Sequence, residues 1–228
     1  AAHKALALGI NHFDGADMYG FGRGETFLGK VLQECRGEVV IASKFGFVRS
    51  EDGAMKFVGT PEYVRQACDA SLSRLGIDHI DLYYQHRIDP NIAIEETWGA
   101  MVELVNQGKV GALGISNATE EQIRRAHAVH PLAAVQMEYS LIERAQEAGI
   151  LPTCKELGVT FVAYGPLSFS LLGGDVKNID DLPEDDAYRR RMPRFHDENI
   201  GANLKLVETV ISVAREIGAT PGQVALAW

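Results

Sequence analysis

Four kinds of proton-handling side chain stand where apolar runs of this sequence stop. The stretch Ile10 to Tyr19, INHFDGADMY, passes from Ile10 and Phe13 into two carboxylates, Asp14 and Asp17, and then a tyrosine followed by glycine. VVIASKFGF closes an apolar run around Lys44, and IDLYYQHRID closes another with His86. A carboxylate, a phenol, an amine and an imidazole are groups that can give, take or hold a proton. Taken singly each has a plainer reading: loop acids cap helices, tyrosines pack, lysines are solvated, and histidines serve as structural donors. Parallel strands would bring all four to one edge of a sheet, and barrel enzymes concentrate their chemistry at such strand ends.

The elements that would position them alternate. Runs rich in Val, Ile, Phe and Tyr fall near 10–14, 39–45, 80–85, 110–115, 133–138 and 159–164, separated by segments of helical periodicity. Thr60-Pro61-Glu62 reads as a cap with proline at the first helical position, Asn106-Gln107-Gly108 as a helix end, Asn117-Ala118-Thr119-Glu120 as a start, and Gly158 as a stop. Strand segments such as VVIA and TFVA are apolar without alternation, as expected of strands covered on both faces. A doubly wound sheet shares this pattern. Functional groups at so many strand ends, and no GxGxxG after a first strand, favour an α/β fold of the (β/α)8 TIM-barrel type, with about six strands visible in one domain over 1–228.

The chain has 228 residues, 46% of them hydrophobic, enough for one sizeable core. No apolar run predicts a membrane span and no leader pattern predicts secretion, so a cytoplasmic protein is expected. With 22 basic and 31 acidic residues the formal charge is -9, without a basic stripe, which argues against nucleic acid and for a small-molecule partner. Cys35, Cys68 and Cys154 are odd in number and contain no CxxC, so neither a disulfide framework nor a metal site is expected. Buried, inert thiols are the expected reading.

On the stretches FDGADMYGFGRGETFLG, VVIASKFGF, LSRLGIDHIDLYYQHRID, GKVGALGISN, AAVQMEYSL and FVAYGPLSFSLLGG, the sequence resembles the aldo-keto reductases along essentially its whole length. These are single-domain barrels that reduce carbonyls with a nicotinamide cofactor. The resemblance implies a catalytic tetrad of Asp14, Tyr19, Lys44 and His86, with Asp17 a neighbouring surface or capping acid. It implies Tyr19 as proton donor, Lys44 as the charge favouring the phenolate, Asp14 as the group keeping Lys44 protonated, and His86 as a hydrogen-bonding partner of the carbonyl oxygen. It also implies NADPH as cofactor, with NADH as an alternative. Ser116, Asn117 and Gln136 would meet the carboxamide, Tyr164 would stack on the ring, and Gly165, Pro166 and Leu167 would run beside the pyrophosphate. The sequence departs from the common pattern at Gly165, where serine is frequent, and at Ser168 to Ser170, where glycine-arginine-glycine is common.

Set against that family, the chain opens at its first helix and stops within the helix before its eighth strand, without the segment that grips the adenosine phosphate. The expectation is a piece of a longer protein, because a barrel short of two adjacent strands exposes two edges and an apolar interior. Residues 167–199 mix glycine, proline and both charge signs without periodicity, which suits either a lid or a solvated surface excursion. Phe21, Phe45, Phe47 and Tyr84 are candidate pocket walls for an aldehyde or ketone, and Trp98 is expected between helices and barrel. A sensor that keeps the cofactor, as in the potassium-channel beta subunits, and an inactive fragment are the competing readings.

Overall fold

A short apolar strand followed by an amphipathic helix returns most directly to a parallel neighbouring strand, and repetition of that unit builds the sheet. The computed structural model describes residues 1–50 and 54–228. Its elements run α1 (Ala2–Ala7), β1 (His12–Asp14), α2 (Arg23–Leu32), β2 (Val40–Phe45), β3 (Phe47–Arg49), β4 (Met55–Phe57), α3 (Pro61–Leu75), β5 (Ile80–Gln85), α4 (Ile94–Asn106), β6 (Val110–Ser116), α5 (Glu120–Val129), β7 (Ala134–Glu138), α6 (Ile150–Leu157), β8 (Thr160–Tyr164), α7 (Asp197–Ile217) and α8 (Pro221–Ala227). One six-stranded sheet has the order β1-β2-β5-β6-β7-β8, and β3 and β4 form a separate antiparallel hairpin. The six runs singled out in the sequence are the six strands of the main sheet. The hairpin was not expected.

Helix boundaries follow local chemistry. Thr60 accepts from the Tyr63 amide with Pro61 at the first helical position, and Thr119 and Gln122 close a reciprocal capping box at the start of α5. Gly76, at φ 67°, ends α3 in the left-handed conformation that glycine adopts without strain. Buried Val64, Ala67, Cys68, Ser71, Leu72 and Leu75 form the inward stripe of α3 at helical spacing. Among the described residues, no helix is long and apolar enough to cross a membrane.

The chain forms two compact units, Ala1–Gln136 with Pro152–Val162, and Met137–Leu151 with Ala163–Trp228. In the first, strand register sorts side chains by parity. Asp14 pairs with Ala42, Lys44 with Tyr84, Tyr84 with Gly114, Gly114 with Ala134, and Ser116 with Gln136, so these even-numbered residues share one face. Gly114 has no side chain because the Tyr84 ring occupies that space; a β-carbon there would lie 2.4 Å from ring carbons. Odd-numbered residues meet the helices. Phe45 stacks on Tyr83 at 5.2 Å, and buried Trp98 of α4 donates from its indole nitrogen to Gln85 Oε1 (3.0 Å), between helix layer and sheet as expected.

The second unit has its own core. Residues 167–199, expected to be a lid or a surface excursion, contain short 3-10 turns. Leu171, Leu172, Val176, Leu182 and Phe195 close on Val207 and Val210 of α7 and Ala225 of α8. Three of its arginines are tied locally: Arg189 to Asp186 (2.6 Å), Arg190 to the carbonyls of Ile179 and Leu182, and Arg194 to Glu138 (2.5 Å) and Ser168 Oγ (2.6 Å).

Behind the sheet of the first unit, Glu25 is wholly buried, accepting from Ser43 Oγ (2.5 Å) and paired with Arg74 Nε (2.6 Å). Removing one partner of a buried pair strands the other's charge, a cost of about 3–5 kcal/mol. Arg74→Ala is therefore expected to lose about that much stability in urea unfolding, with Glu25→Gln in the same chain recovering most of it.

Candidate active site

Lys44 leaves the even face of β2 with no exposed surface. Its ammonium is ion-paired with Asp14 Oδ2, donates to the Gly15 carbonyl (2.8 Å) and lies 3.5 Å from the Tyr19 hydroxyl. The segment carrying Tyr19 is laced to β2, since the Gly15 amide donates to the Ala42 carbonyl (2.8 Å) and the Asp17 amide to the Lys44 carbonyl (3.0 Å). Gly20, Phe21 and Gly22 then turn sharply with φ of 59°, 53° and 85°, and α2 begins. Two of these positions carry glycine, as left-handed backbone favours; Phe21 is the strained one. The His86 ring meets Tyr19 edge-on with centroids 6.0 Å apart, and Phe47 meets His86 at 4.8 Å.

Electrostatics separates the roles these groups can take. Burial pulls the Lys44 pKa down, while the charge and hydrogen bond of Asp14 push it back up. Burial and then the Asp14 charge raise the Tyr19 phenol, and Arg87 opposes them. His86 falls to about 3 through burial, then through the cationic charges of Lys44 and Arg87, so its imidazole is neutral at physiological pH.

Asp14, Tyr19, Lys44 and His86 are thus assembled together, and the first unit also brings up Ser116, Asn117 and Gln136. The Asn117 amide donates to Ser116 Oγ (2.7 Å) and to the His86 carbonyl (3.4 Å), and Gln136 Nε2 to Asp14 Oδ2 (3.3 Å). Asn117 sits at φ 55°, a left-handed conformation that asparagine tolerates. Tyr164, Gly165, Pro166 and Leu167 belong to the second unit. Tyr164 ends β8 half-buried, its carbonyl accepting from the Tyr139 amide (3.2 Å), and Gly165 turns at φ 64°. Ser168, Phe169 and Ser170 continue in left-handed backbone, φ 48°, 57° and 82°, beside the Arg194 contact to Ser168, an arrangement that nothing in the sequence announced.

Two expectations are corrected. Phe45 is not a wall beside Lys44: adjacent residues of a strand face opposite sides, and Phe45 is buried against Tyr83 and Tyr63. Asp17 is not a surface acid. It accepts from the Tyr63 hydroxyl (3.4 Å), and its other oxygen is buried without a partner among the described residues. Burial first, then the charge of Glu25, raises its pKa to about 7. Tyr63 and Arg74, the groups that enclose it, come from α3, far away in sequence.

The sequence pattern of the Aldo/keto reductase family matches residues 1–228. The chain belongs to that family. It is 44% identical over 225 residues to the probable aldo-keto reductase 1 of Glycine max, covering 98% of this chain and 64% of that protein. The chain therefore spans 64% of the length of this curated relative. The glycerol dehydrogenase of Gluconobacter oxydans superposes with a TM-score of 0.91 at 33% identity, over 100% of this chain and 70% of its own. An aldo-keto reductase of Bacillus halodurans in its holo form gives 0.71 at 34% identity, over 82% and 61%. The six strands accordingly match part of the (β/α)8 barrel of the aldo-keto reductases.

The environment of Asp17 has a measurable consequence. With its pKa raised to about 7 from 3.8, the folded protein holds a proton that the unfolded chain releases between those values. Stability from this group is complete below about 3.8 and is lost as pH rises toward 7. Asp17→Asn removes the cost of ionisation, so its melting temperature relative to the native protein is expected to be higher at pH 8 than at pH 5; thermal melts at the two pH values check this.

Proposed function

We propose that this protein reduces an aldehyde or ketone to the alcohol, with NADPH as the preferred cofactor and NADH as the alternative. The observation that carries the reading is the buried Lys44 ammonium held between the Asp14 carboxylate and the Tyr19 hydroxyl, with the neutral ring of His86 alongside. The cofactor would lie against Ser116, Asn117 and Gln136, whose hydroxyl and amides, at the end of β6 and within β7, match the donors and acceptors of a carboxamide. Tyr164 would face its ring, and Gly165, Pro166 and Leu167 its phosphates. When bound, it supplies the hydride that goes to the carbonyl carbon.

The side chains manage the oxygen. As the carbonyl π pair moves onto oxygen, Tyr19 passes its hydroxyl proton to it and becomes a phenolate. Lys44 stabilises that phenolate from 3.5 Å, and Asp14 keeps the lysine charged in spite of burial. His86, neutral, acts on the oxygen by hydrogen bonding and positions it. The resting phenol, raised by burial and by Asp14, stays protonated until charge develops beside it.

The primary test is Tyr19→Phe. Turnover of aldehydes is expected to fall by several orders of magnitude while cofactor affinity, read by fluorescence quenching, is retained, because the lost hydroxyl acts in the transition state. Comparable turnover in the variant would sink the assignment. Lys44→Met keeps most of the stem but removes the charge, so reduction is expected to collapse in a protein that still melts cooperatively; retained activity with an unchanged pH profile would show that Tyr19 does not depend on this lysine.

A further inference from the structure

Arginines of the first unit divide by what they hold. Arg36, Arg65, Arg74, Arg124 and Arg125 are each ion-paired with a carboxylate. Among the described residues, Arg23, Arg49 and Arg87 have no carboxylate partner. Arg23 donates to the Gly20 carbonyl (3.1 Å), Arg49 lies over the Phe21 ring at 5.6 Å, and Arg87 over the Phe47 ring at 6.0 Å. These three follow Tyr19, Lys44 and His86 by four, five and one residues, on the segments that leave the candidate catalytic positions. In a chain with 31 acidic and 22 basic residues, carboxylate partners are plentiful, and yet these three arginines of the first unit, each on a segment that leaves a candidate catalytic position, hold none among the described residues.

Arg87 is tied to the candidate site through its neighbours. It is half-buried, next in sequence to His86, and its platform Phe47 packs edge-on against the His86 ring. Its charge is felt at both Tyr19 and His86. A guanidinium offers a planar fork of donors whose two parallel N–H bonds a single carboxylate uses completely. Phe47 alongside gives an apolar wall for the carbon frame between that carboxylate and the carbonyl, and Arg23 and Arg49 add positive field around the approach.

Resting on the carbonyl-reductase reading above, we infer that Arg87 anchors a carboxylate on the substrate, so that the preferred substrates are aldehydes or ketones bearing a carboxylate a few bonds from the carbonyl. Arg87 is then a specificity-determining residue, and its effect belongs to one substrate class.

The test compares para-carboxybenzaldehyde with its methyl ester, with NADPH, in the native protein and in Arg87→Gln and Arg87→Lys. The native protein is expected to favour the acid over the ester by about tenfold in kcat/KM, the scale of one charge-assisted contact. In Arg87→Gln that ratio should fall to near one, mainly through KM for the acid, and Arg87→Lys should restore part of it. Rising ionic strength should raise KM for the acid more than for the ester in the native protein, a readout that needs no variant. Reduction of both aldehydes without preference, or an equal loss on both in Arg87→Gln, overturns the inference and leaves the reductase reading standing. Reduction of neither aldehyde overturns that reading and the inference with it.

Discussion

An ammonium with no exposed surface is the constraint around which the first unit is arranged. Removing the Lys44 charge from water carries a desolvation cost that only an opposite charge and hydrogen-bond acceptors at contact distance can offset. Asp14 supplies the charge and the Gly15 carbonyl an acceptor, and both require β1 to lie beside β2 in the register that sets Asp14 opposite Ala42. The amides of Gly15 and Asp17 then fasten the following segment to β2, and that fastening carries the Tyr19 hydroxyl to 3.5 Å from the ammonium. Position of the phenol is thus a consequence of satisfying the lysine.

Strand parity divides the labour between two faces. Even-numbered residues carry the candidate chemistry, and one residue away Ser43 reaches the opposite side, where Glu25 and Arg74 form a buried charged network. Asp17 stands between them. Its backbone is bonded to Lys44, its side chain faces Tyr63 and Arg74, and its charge is felt at Lys44. Ionisation of Asp17 places a second negative charge within reach of the lysine and strengthens its hold on its proton. The network behind the sheet is therefore electrically coupled to the site in front.

What could be read from the sequence was what local residues decide. Runs of β-branched and aromatic residues marked all six strands of the main sheet, although only inner strands such as β2 and β5 are largely buried and β8, expected from TFVA to be covered on both faces, is half-exposed; Thr60-Pro61 and Thr119 fixed helix starts through bonds spanning three residues. The grouping of Asp14, Tyr19, Lys44 and His86 was legible as strand ends plus a family resemblance. The β3–β4 hairpin was not, since strands of three residues are too short to show alternation and Phe47 merged with the run ending at Phe45. Nor was the burial of Asp17, which depends on a helix that begins more than forty residues later. In residues 167–199 the apolar side chains are spaced irregularly because 3-10 turns, not a helix or strand, deliver them to the core.

His86 shows how this charge arrangement limits the proposed chemistry. An imidazolium there would stand beside the Lys44 ammonium and the Arg87 guanidinium in a buried position, and the histidine accordingly stays neutral down to about pH 3. A neutral imidazole is a weak acid, so in the proposed reaction it orients the carbonyl oxygen without delivering the proton. Lys44 is equally unsuited to give up its own proton to the oxygen, because Asp14 would be left with an unpaired charge beside a neutral amine. Tyr19 remains: a phenol is a far stronger acid than a neutral imidazole, and a fixed cation lies beside it to stabilise what it becomes. The proposed division of roles among these four residues thus follows from one buried charge and its neighbours, and Arg87, by adding a second positive charge beside His86, reinforces the same division.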